Sequence, residues 1–256
     1  MNDHRCVEPF SRKSWPVALS RTFARGYFAR PQDLWMLILG GRTDARIAQL
    51  RSDFGDRTAF ETIYSESDDP WESVSPRFSY QRRKYETVMS LLPTDRRFGR
   101  ALDLGCGLGT LSCLLAARAD SVLGLDVAQT AVDHARKRHA ARSNLTFECG
   151  DILDLPNRLN GQFDILMIAD TLYYLPSTSE VSLDAIADKI ADLLVPGGIC
   201  VLTNHLFALG WDEATRLSRR IHRAFCRSPR FRLISKHWRP FFLTTLLAVS
   251  TKPLLA

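Results

Sequence analysis

A run of glycines separates an apolar stretch from a helical one at Ala101-Leu-Asp-Leu-Gly-Cys-Gly-Leu-Gly-Thr110. Glycine lets a backbone turn sharply and come close to a ligand. Gly105, Gly107 and Gly109 are spaced GxGxG. A pyrophosphate-seating loop has the spacing GxGxxG instead. Asp103 stands two residues before the loop. A carboxylate there repels phosphate and suits a cationic amine. Asp126, with Val127 beside it, ends the next apolar run. That position, about 20 residues past a glycine loop, accepts hydrogen bonds from ribose hydroxyls. Gly150-Asp151-Ile152 follows the third run. Asp151 suits an exocyclic adenine amine, and Ile152 suits the ring. An amine, a free ribose and an adenine without phosphate describe S-adenosylmethionine.

A sulfonium cofactor carries its own reactivity, so the protein has to position an acceptor and exclude water. An amine acceptor must also lose a proton, which a nearby carboxylate or imidazole assists. Asp170 ends the fourth apolar run and is the first candidate for orienting the acceptor, with helix capping as the alternative. His205 follows the fifth run and is a candidate base or a structural histidine. Tyr173 and Tyr174 line an acceptor pocket or pack in the core. Trp71 follows Asp68-Asp69-Pro70 in an acidic loop, either closing over the site or anchoring the loop. Arg83 reaches the cofactor carboxylate as a charge-assisted donor, or belongs to an exposed basic face. His4, His134, His139, His222 and His237 are assigned no role, and no metal site is expected.

The elements that must position these residues alternate. Strands are expected at Arg100–Leu104, Ser121–Asp126, Leu145–Cys149, Phe163–Ala169 and Ile199–Asn204. Helices are expected at Thr110–Ala119, Ala128–Ala141, Leu183–Leu194 and Asp212–Cys226. Alternation of this kind builds βαβ units around a parallel sheet. The runs Phe231–Trp238 and Phe241–Ser250 have only Arg239-Pro240 between them. That is too short for a parallel crossover, so the sheet ends in an antiparallel hairpin. Upstream, residues 1–30 read as a basic arm and residues 31–76 as a helical extension with a lid loop. Two short helices are expected there, separated by Gly40-Gly41. Residues 77–256 form the main domain, opening on a helix from Tyr80 to Leu92 that Pro93 stops.

With these motifs in order, the chain from about Tyr64 to Ala256 resembles class I S-adenosylmethionine-dependent methyltransferases. DLGCGLG matches the first motif, Asp126 the ribose-binding acid and Asp151 the adenine-binding acid. Phe163–Leu175 matches the fourth strand and active-site segment, and Leu194–Asn204 matches the fifth strand and its loop. Within the class it resembles the nodulation protein S-like group, through Asp68-Asp69-Pro70-Trp71, Arg83-Lys84-Tyr85 and Leu172-Tyr173-Tyr174-Leu175. That group usually has Glu where this chain has Asp170. The resemblance implies an α/β, Rossmann-like fold of seven strands, mostly parallel, with a C-terminal antiparallel hairpin and an N-terminal helical lid. It implies methyl transfer from S-adenosyl-L-methionine to a small molecule or saccharide, foremost an amino-sugar nitrogen of an oligosaccharide. O-methylation of a polyketide, sugar or lipid-linked glycan is the alternative. RNA methylation and a non-catalytic regulator rank behind both. The Asn/Asp-Pro-Pro-Tyr/Phe segment of nucleobase methyltransferases is replaced here by Ala169-Asp-Thr-Leu-Tyr173, so no nucleic-acid partner is expected.

Charge sharpens the choice of ligand. The 256 residues carry 34 Lys and Arg against 28 Asp and Glu, a net +6 that taken alone suggests a polyanion. Residues 63–199, however, hold 14 basic and 19 acidic side chains, and residues 200–256 hold 10 and 2. The motif-bearing middle is acidic and the excess of base is terminal. The longest apolar runs, Leu34–Leu39 and Phe241–Val249, are too short to span a bilayer, leaving at most weak peripheral membrane contact. Six cysteines without a CxxC pair predict a reducing compartment. The opening MNDHRCVEPFSRKSW has no apolar signal core, and the expected setting is cytoplasmic, as monomer or homodimer.

Overall fold

The computed structural model describes residues 33–175, 182–206, 213–239 and 241–250. The expected basic arm at 1–30 lies outside them. Three helices come first: α1 (Asp33–Phe54), α2 (Asp56–Glu66) and α3 (Tyr80–Ser90). The alternating part follows as β1 (Phe98–Leu104), α4 (Thr110–Ala116), β2 (Ala119–Asp126), α5 (Gln129–Arg138), β3 (Leu145–Cys149) and β4 (Phe163–Ala169). It continues through α6 (Leu183–Leu193), β5 (Leu194–His205), α7 (Glu213–Arg227), β6 (Phe231–Arg239) and β7 (Phe242–Val249). One seven-stranded sheet results, in the order β3-β2-β1-β4-β5-β7-β6. Strands β1 to β5 pair in parallel, and β7 runs antiparallel to β5 and β6.

Apolar runs become buried strands because both faces of the sheet are covered. Alternate residues go to opposite sides. Ala101, Ile165, Met167 and Val201 pack with Val88, Leu111, Leu115 and Val132 from α3, α4 and α5. Leu102, Leu166, Ile168 and Leu202 pack with Ile186, Ile190, Ile221 and Phe225 from α6 and α7. Successive connections turn to opposite sides after β1 and β4, which are neighbours with Leu104 beside Ile168. A crevice opens between the carboxyl ends of two such strands.

The N-terminal helices correct one expectation. The chain does not break at Gly40-Gly41; α1 runs through both glycines. Each glycine inside a helix costs about 1 kcal/mol relative to Ala. Anchors on either side carry the helix across: Met36 in the main core, then Ile47 and Leu50 against Ala59 and Ile63 of α2. The break falls at Gly55, whose φ of +81° is left-handed and whose N–H donates to Arg51 O at 3.0 Å. Arg51 Nε then meets the Asp56 carboxylate at 2.5 Å, where the acid also suits the first turn of α2. Smaller differences are the earlier start of β5, at Leu194, and the shorter α5, which stops at Arg138.

Two predictions follow from this packing. A Cβ at Gly40 or Gly41 would meet nothing within 4 Å, so Gly40→Ala and Gly41→Ala should each raise stability to urea by about 0.5–1 kcal/mol. An unchanged or lower midpoint would show that the glycines serve something other than the helix. His222 of α7 is wholly buried, with Nδ1 2.7 Å from Thr245 Oγ1. Burial, helped by the charge of Lys236, pushes its pKa down to about 3. The unfolded chain therefore binds this proton more readily, and stability should be full above about pH 6.5 and decline as pH falls toward 3. In His222→Gln the slope of unfolding free energy against pH between about 6 and 4 should be shallower, as read by denaturant titrations.

Candidate active site

A cavity of about 500 Å³ lies over the crevice between β1 and β4. The glycine loop forms its floor. Gly105 and Gly107 line it with φ of +72° and +51°. A Cβ on Gly105 would collide with the Thr171 side chain, and one on Gly107 would stand 2.8 Å from the Tyr64 hydroxyl. The loop is thus bare backbone facing the cavity. Asp126 fastens it, with Oδ2 accepting from Gly107 N at 2.8 Å and Oδ1 from Ala128 N at 3.1 Å. Burial raises the Asp126 pKa, and these backbone N–H groups oppose the rise. Val127, Asp151 and Ile152 also line the cavity, and Asp151 Oδ1 caps a single 3₁₀ turn by accepting from Leu153 N at 2.8 Å.

Across the crevice, β4 ends in Asp170, which has a left-handed φ of +55°. For a residue with a Cβ this backbone conformation costs of order 1–3 kcal/mol and needs surrounding support. That support comes from α3 and β5, through three contacts. Lys84 Nζ of α3, 1% exposed, forms an ion pair with Asp170 Oδ2. His205 N, at the end of β5, donates to Asp170 Oδ1 at 2.6 Å. The Asp170 N–H donates to Thr203 O at 2.8 Å. Asp170, Lys84 and His205 all line the cavity.

The remaining walls are aromatic. Phe60, Tyr64, Trp71, Tyr173 and Tyr174 line the cavity, and burial raises the pKa values of Tyr64, Tyr173 and Tyr174 well above the ordinary phenol value. The Trp71 ring centroid lies 5.6 Å from Tyr64 and 6.2 Å from Tyr174. Asp44 of α1 ties this wall together, with Oδ1 accepting from Tyr174 Oη at 2.6 Å and Trp71 Nε1 at 3.1 Å. Thr43 Oγ1 donates to Pro70 O at 2.7 Å. Helix α2 is fixed in turn by Glu61, whose carboxylate accepts from the Thr130 N–H at 3.1 Å and from its hydroxyl, at the start of α5.

Trp71, Gly105, Gly107, Asp126, Val127, Asp151, Ile152, Asp170, Tyr173, Tyr174 and His205 therefore meet at one cavity. Three residues expected at the site are not among its lining. Asp103 alternates onto the α4 side of β1, where it is 1% exposed and accepts from Ser112 Oγ at 2.6 Å. Burial pushes its pKa up to about 7, so it is no freely presented carboxylate for a cationic amine. Gly109 is a packing glycine at the start of α4, where a Cβ would fall 2.6 Å from the Phe147 ring. Arg83 gives way to its neighbour: Tyr80, Lys84 and Val88 form the buried stripe of α3, so Lys84 is the cation that enters the cavity. A charged residue at the i+4 position of an apolar stripe was the available signal for it. Asp44, Phe60 and Gln81 also line the cavity and had no sequence signal of their own.

The lining accommodates S-adenosylmethionine. Its volume lies within the range of small-molecule sites. The bare backbone at Gly105 and Gly107 permits close approach, and Thr110 Oγ1 and Gln81 Oε1 are buried there without a hydrogen-bond partner. The sheet order, the hairpin and a glycine loop facing a switch-point crevice define the fold of class I S-adenosylmethionine-dependent methyltransferases. The family model for nodulation protein S matches residues 62–206, and the chain belongs to that family. It is 28% identical over 129 residues to nodulation protein S of Bradyrhizobium diazoefficiens, covering 50% of this chain and 59% of that one. The Rhizobium tropici protein is 25% identical over 132 residues, covering 52% and 53%. The match thus spans little more than half the length of these relatives. The ubiquinone biosynthesis O-methyltransferase of Psychrobacter arcticus is 33% identical over 130 residues, covering 46% of this chain and 48% of that one. The crystal structure of N-methyltransferase NodS from Bradyrhizobium japonicum WM9 with S-adenosyl-L-homocysteine superposes with a TM-score of 0.61. It has 19% identity and covers 74% of this chain and 98% of that one.

The ion pair yields a stability test. Removing one partner of a buried pair leaves an uncompensated charge and costs about 3–5 kcal/mol. Lys84→Met should lose about that much in urea unfolding, and adding Asp170→Asn should restore at least about 1 kcal/mol. Additive losses in the double variant would mean that the two side chains do not depend on each other.

Proposed function

We propose that this chain transfers a methyl group from S-adenosyl-L-methionine to a nitrogen of a small hydroxylated acceptor, foremost an amino sugar of an oligosaccharide. The observation that carries this reading is the charge of the cavity. Asp44, Asp56, Asp126, Asp151 and Asp170 line it; Asp56 pairs with Arg51 and Asp170 with Lys84, and Asp44, Asp126 and Asp151 have no ion pair among the described residues, in a chain whose net charge is +6. An acidic, aromatic-walled cavity in a basic protein favours a cationic cofactor and an amine held on ring faces. The N-methyltransferase among the similar structures supports the same choice.

The cofactor supplies an activated methyl on a sulfonium, ready for in-line displacement. The chain's own residues do the rest. Gly105 and Gly107 let the backbone approach, Asp126 accepts from the ribose hydroxyls, and Asp151 with Ile152 holds the adenine. Asp170 orients the acceptor, because a carboxylate bonded through both oxygens is fixed in place. The His205 imidazole, at the same edge of the sheet, takes the proton that the amine must lose. Trp71, Tyr173 and Tyr174 pack against the acceptor. Helices α1 and α2 act as a lid that keeps water out, tied down through Asp44 and Glu61.

The test is incubation with methyl-labelled S-adenosylmethionine and an acceptor panel that includes deacetylated chito-oligosaccharides. Binding should be seen at micromolar cofactor by titration calorimetry, and its absence would sink the whole reading. Label on a polyketide or sugar hydroxyl, with none on amines, would select the O-methyl alternative, which the similarity to an O-methyltransferase of Psychrobacter arcticus supports. Asp126→Ala should weaken cofactor binding at least about tenfold. Asp170→Asn should lower kcat by about 100-fold with cofactor affinity changed less than about threefold.

A further inference from the structure

The basic excess of the C-terminal region forms a surface that the methyl-transfer site does not use. From Glu213 onward the described residues contain nine Arg and Lys and one acid, Glu213 itself. On α7, Arg216, Arg220, Arg223 and Arg227 are all exposed. Their spacing of four, three and four residues puts them on one stripe of the helix, about 16 Å long. The opposite face, with Ile221 and Phe225, is spent on the core. Beside the helix runs β6, the outermost strand of the sheet, whose Phe231 ring stacks on Phe225 at 5.8 Å. Leu233 lies two residues further along β6, hence on the same side of the sheet as α7. It is 40% exposed, and Ile234, where the pairing with β7 shifts register, is 44% exposed. Arg232 is exposed between them and Phe231, and Lys236 lies 5.2 Å over the Trp238 ring.

We infer that α7 and the β6 edge form a docking face for an anionic lipid bilayer. A stripe of arginines is attracted by the negative potential of acidic headgroups, each contributing about fivefold to partitioning. Exposed Leu and Ile beside the stripe supply the shallow apolar insertion that distinguishes a bilayer from a purely ionic partner. RNA fits less well. The face is a convex helix with aliphatic neighbours, whereas single-stranded nucleic acid is held in a groove lined by stacking aromatic rings. No helix of the described residues is long and apolar enough to cross a membrane, and the contact inferred is peripheral. Arg216 follows two residues after Ala214, which lines the cavity. Residues two apart on a helix point to nearly opposite sides, so the arginine stripe faces away from the cavity with α7 between them.

The test uses the full chain and sedimentation with vesicles of phosphatidylcholine alone or with roughly 30% phosphatidylserine. Binding is expected to the acidic vesicles, at least about 100-fold tighter than to the neutral ones, and reversed by about 0.5 M NaCl. Arg216→Glu/Arg220→Glu/Arg223→Glu/Arg227→Glu should lose at least about 100-fold in vesicle affinity while thermal melting and S-adenosylmethionine binding persist. Should that variant not fold, the set changed to Gln serves, with a loss of at least about 30-fold. Leu233→Ser/Ile234→Ser should weaken binding about tenfold and steepen its salt dependence. Equal binding to both vesicle types, no binding at low salt, or wild-type affinity in the arginine variants would overturn the inference. Mixed-sequence RNA that displaces the vesicles at lower concentration would overturn it too and assign the face to nucleic acid.

Discussion

The site depends on a single carboxylate that a helix and a neighbouring strand grip at once. Asp170 stands at the end of β4 in a left-handed conformation that no isolated Asp holds for long. Lys84 reaches it from α3 and His205 N from β5, and its own N–H is taken by Thr203. Lys84 is 1% exposed, so its ammonium has no water to fall back on. The pair must stay together, and with it α3 is held against the carboxyl edge of the sheet. Thr171, the next residue, then occupies the space that a Gly105 side chain would need. Its hydroxyl also donates to Leu104 O at 3.2 Å. The glycine loop and the Asp170 turn are thus one packed unit, shaped from both sides of the switch point.

A second layer follows from the first. Tyr173 and Tyr174 come within one turn of Asp170, so fixing that turn fixes their rings, 4.5 Å apart. Tyr174 then offers its hydroxyl to Asp44, which also takes the Trp71 indole N–H. In this way the first helix of the described chain is attached to a turn some 130 residues later by a chain of polar contacts, each close to the cavity. Hydrogen bonds to a charged acceptor are worth about 1.5–3 kcal/mol each, enough to hold a helix in place and few enough to release it. An enzyme that needs to admit an acceptor and then exclude water benefits from a cover attached at such points.

The alternating part of the fold was legible because its strands are short, apolar and separated by turns. Leu145–Cys149 and Phe163–Ala169 fall where the residues place them, and Arg239-Pro240 forces the hairpin. The turn at Gly105 and Gly107 was legible too, since glycines at that spacing next to a strand end mark a left-handed backbone, and both line the cavity. Less could be read where geometry depends on distant partners. Asp103 looks like Asp126 in sequence, each an acid at the end of an apolar run. Yet Asp103 pairs level with Gly124, two residues short of Asp126 on the same face of the sheet, so it lies under α4 while Asp126 reaches the cavity at the carboxyl edge. Arg83 and Lys84 are adjacent cations, and the helix period alone decides which enters. Gly40-Gly41 reads as a break because propensity is local, while the anchors at Met36, Ile47 and Leu50 that override it are tertiary.

Charge shows the same division between composition and placement. A net +6 says nothing about where the ligand sits. The fold segregates the two signs. Carboxylates at the ends of β2 and β4 turn inward to the crevice, together with Asp44, Asp56 and Asp151. Arginines on α7 turn outward, because the helix must give its apolar face to Ile221 and Phe225. A parallel sheet with strand ends gathered at one edge can collect acids from positions far apart in sequence, while the covering helices are free to carry any charge on their outer faces. An acidic cavity inside a basic protein therefore requires no compromise between the two. Each is set by a different surface of the same βαβ units, and each is free to serve a different ligand.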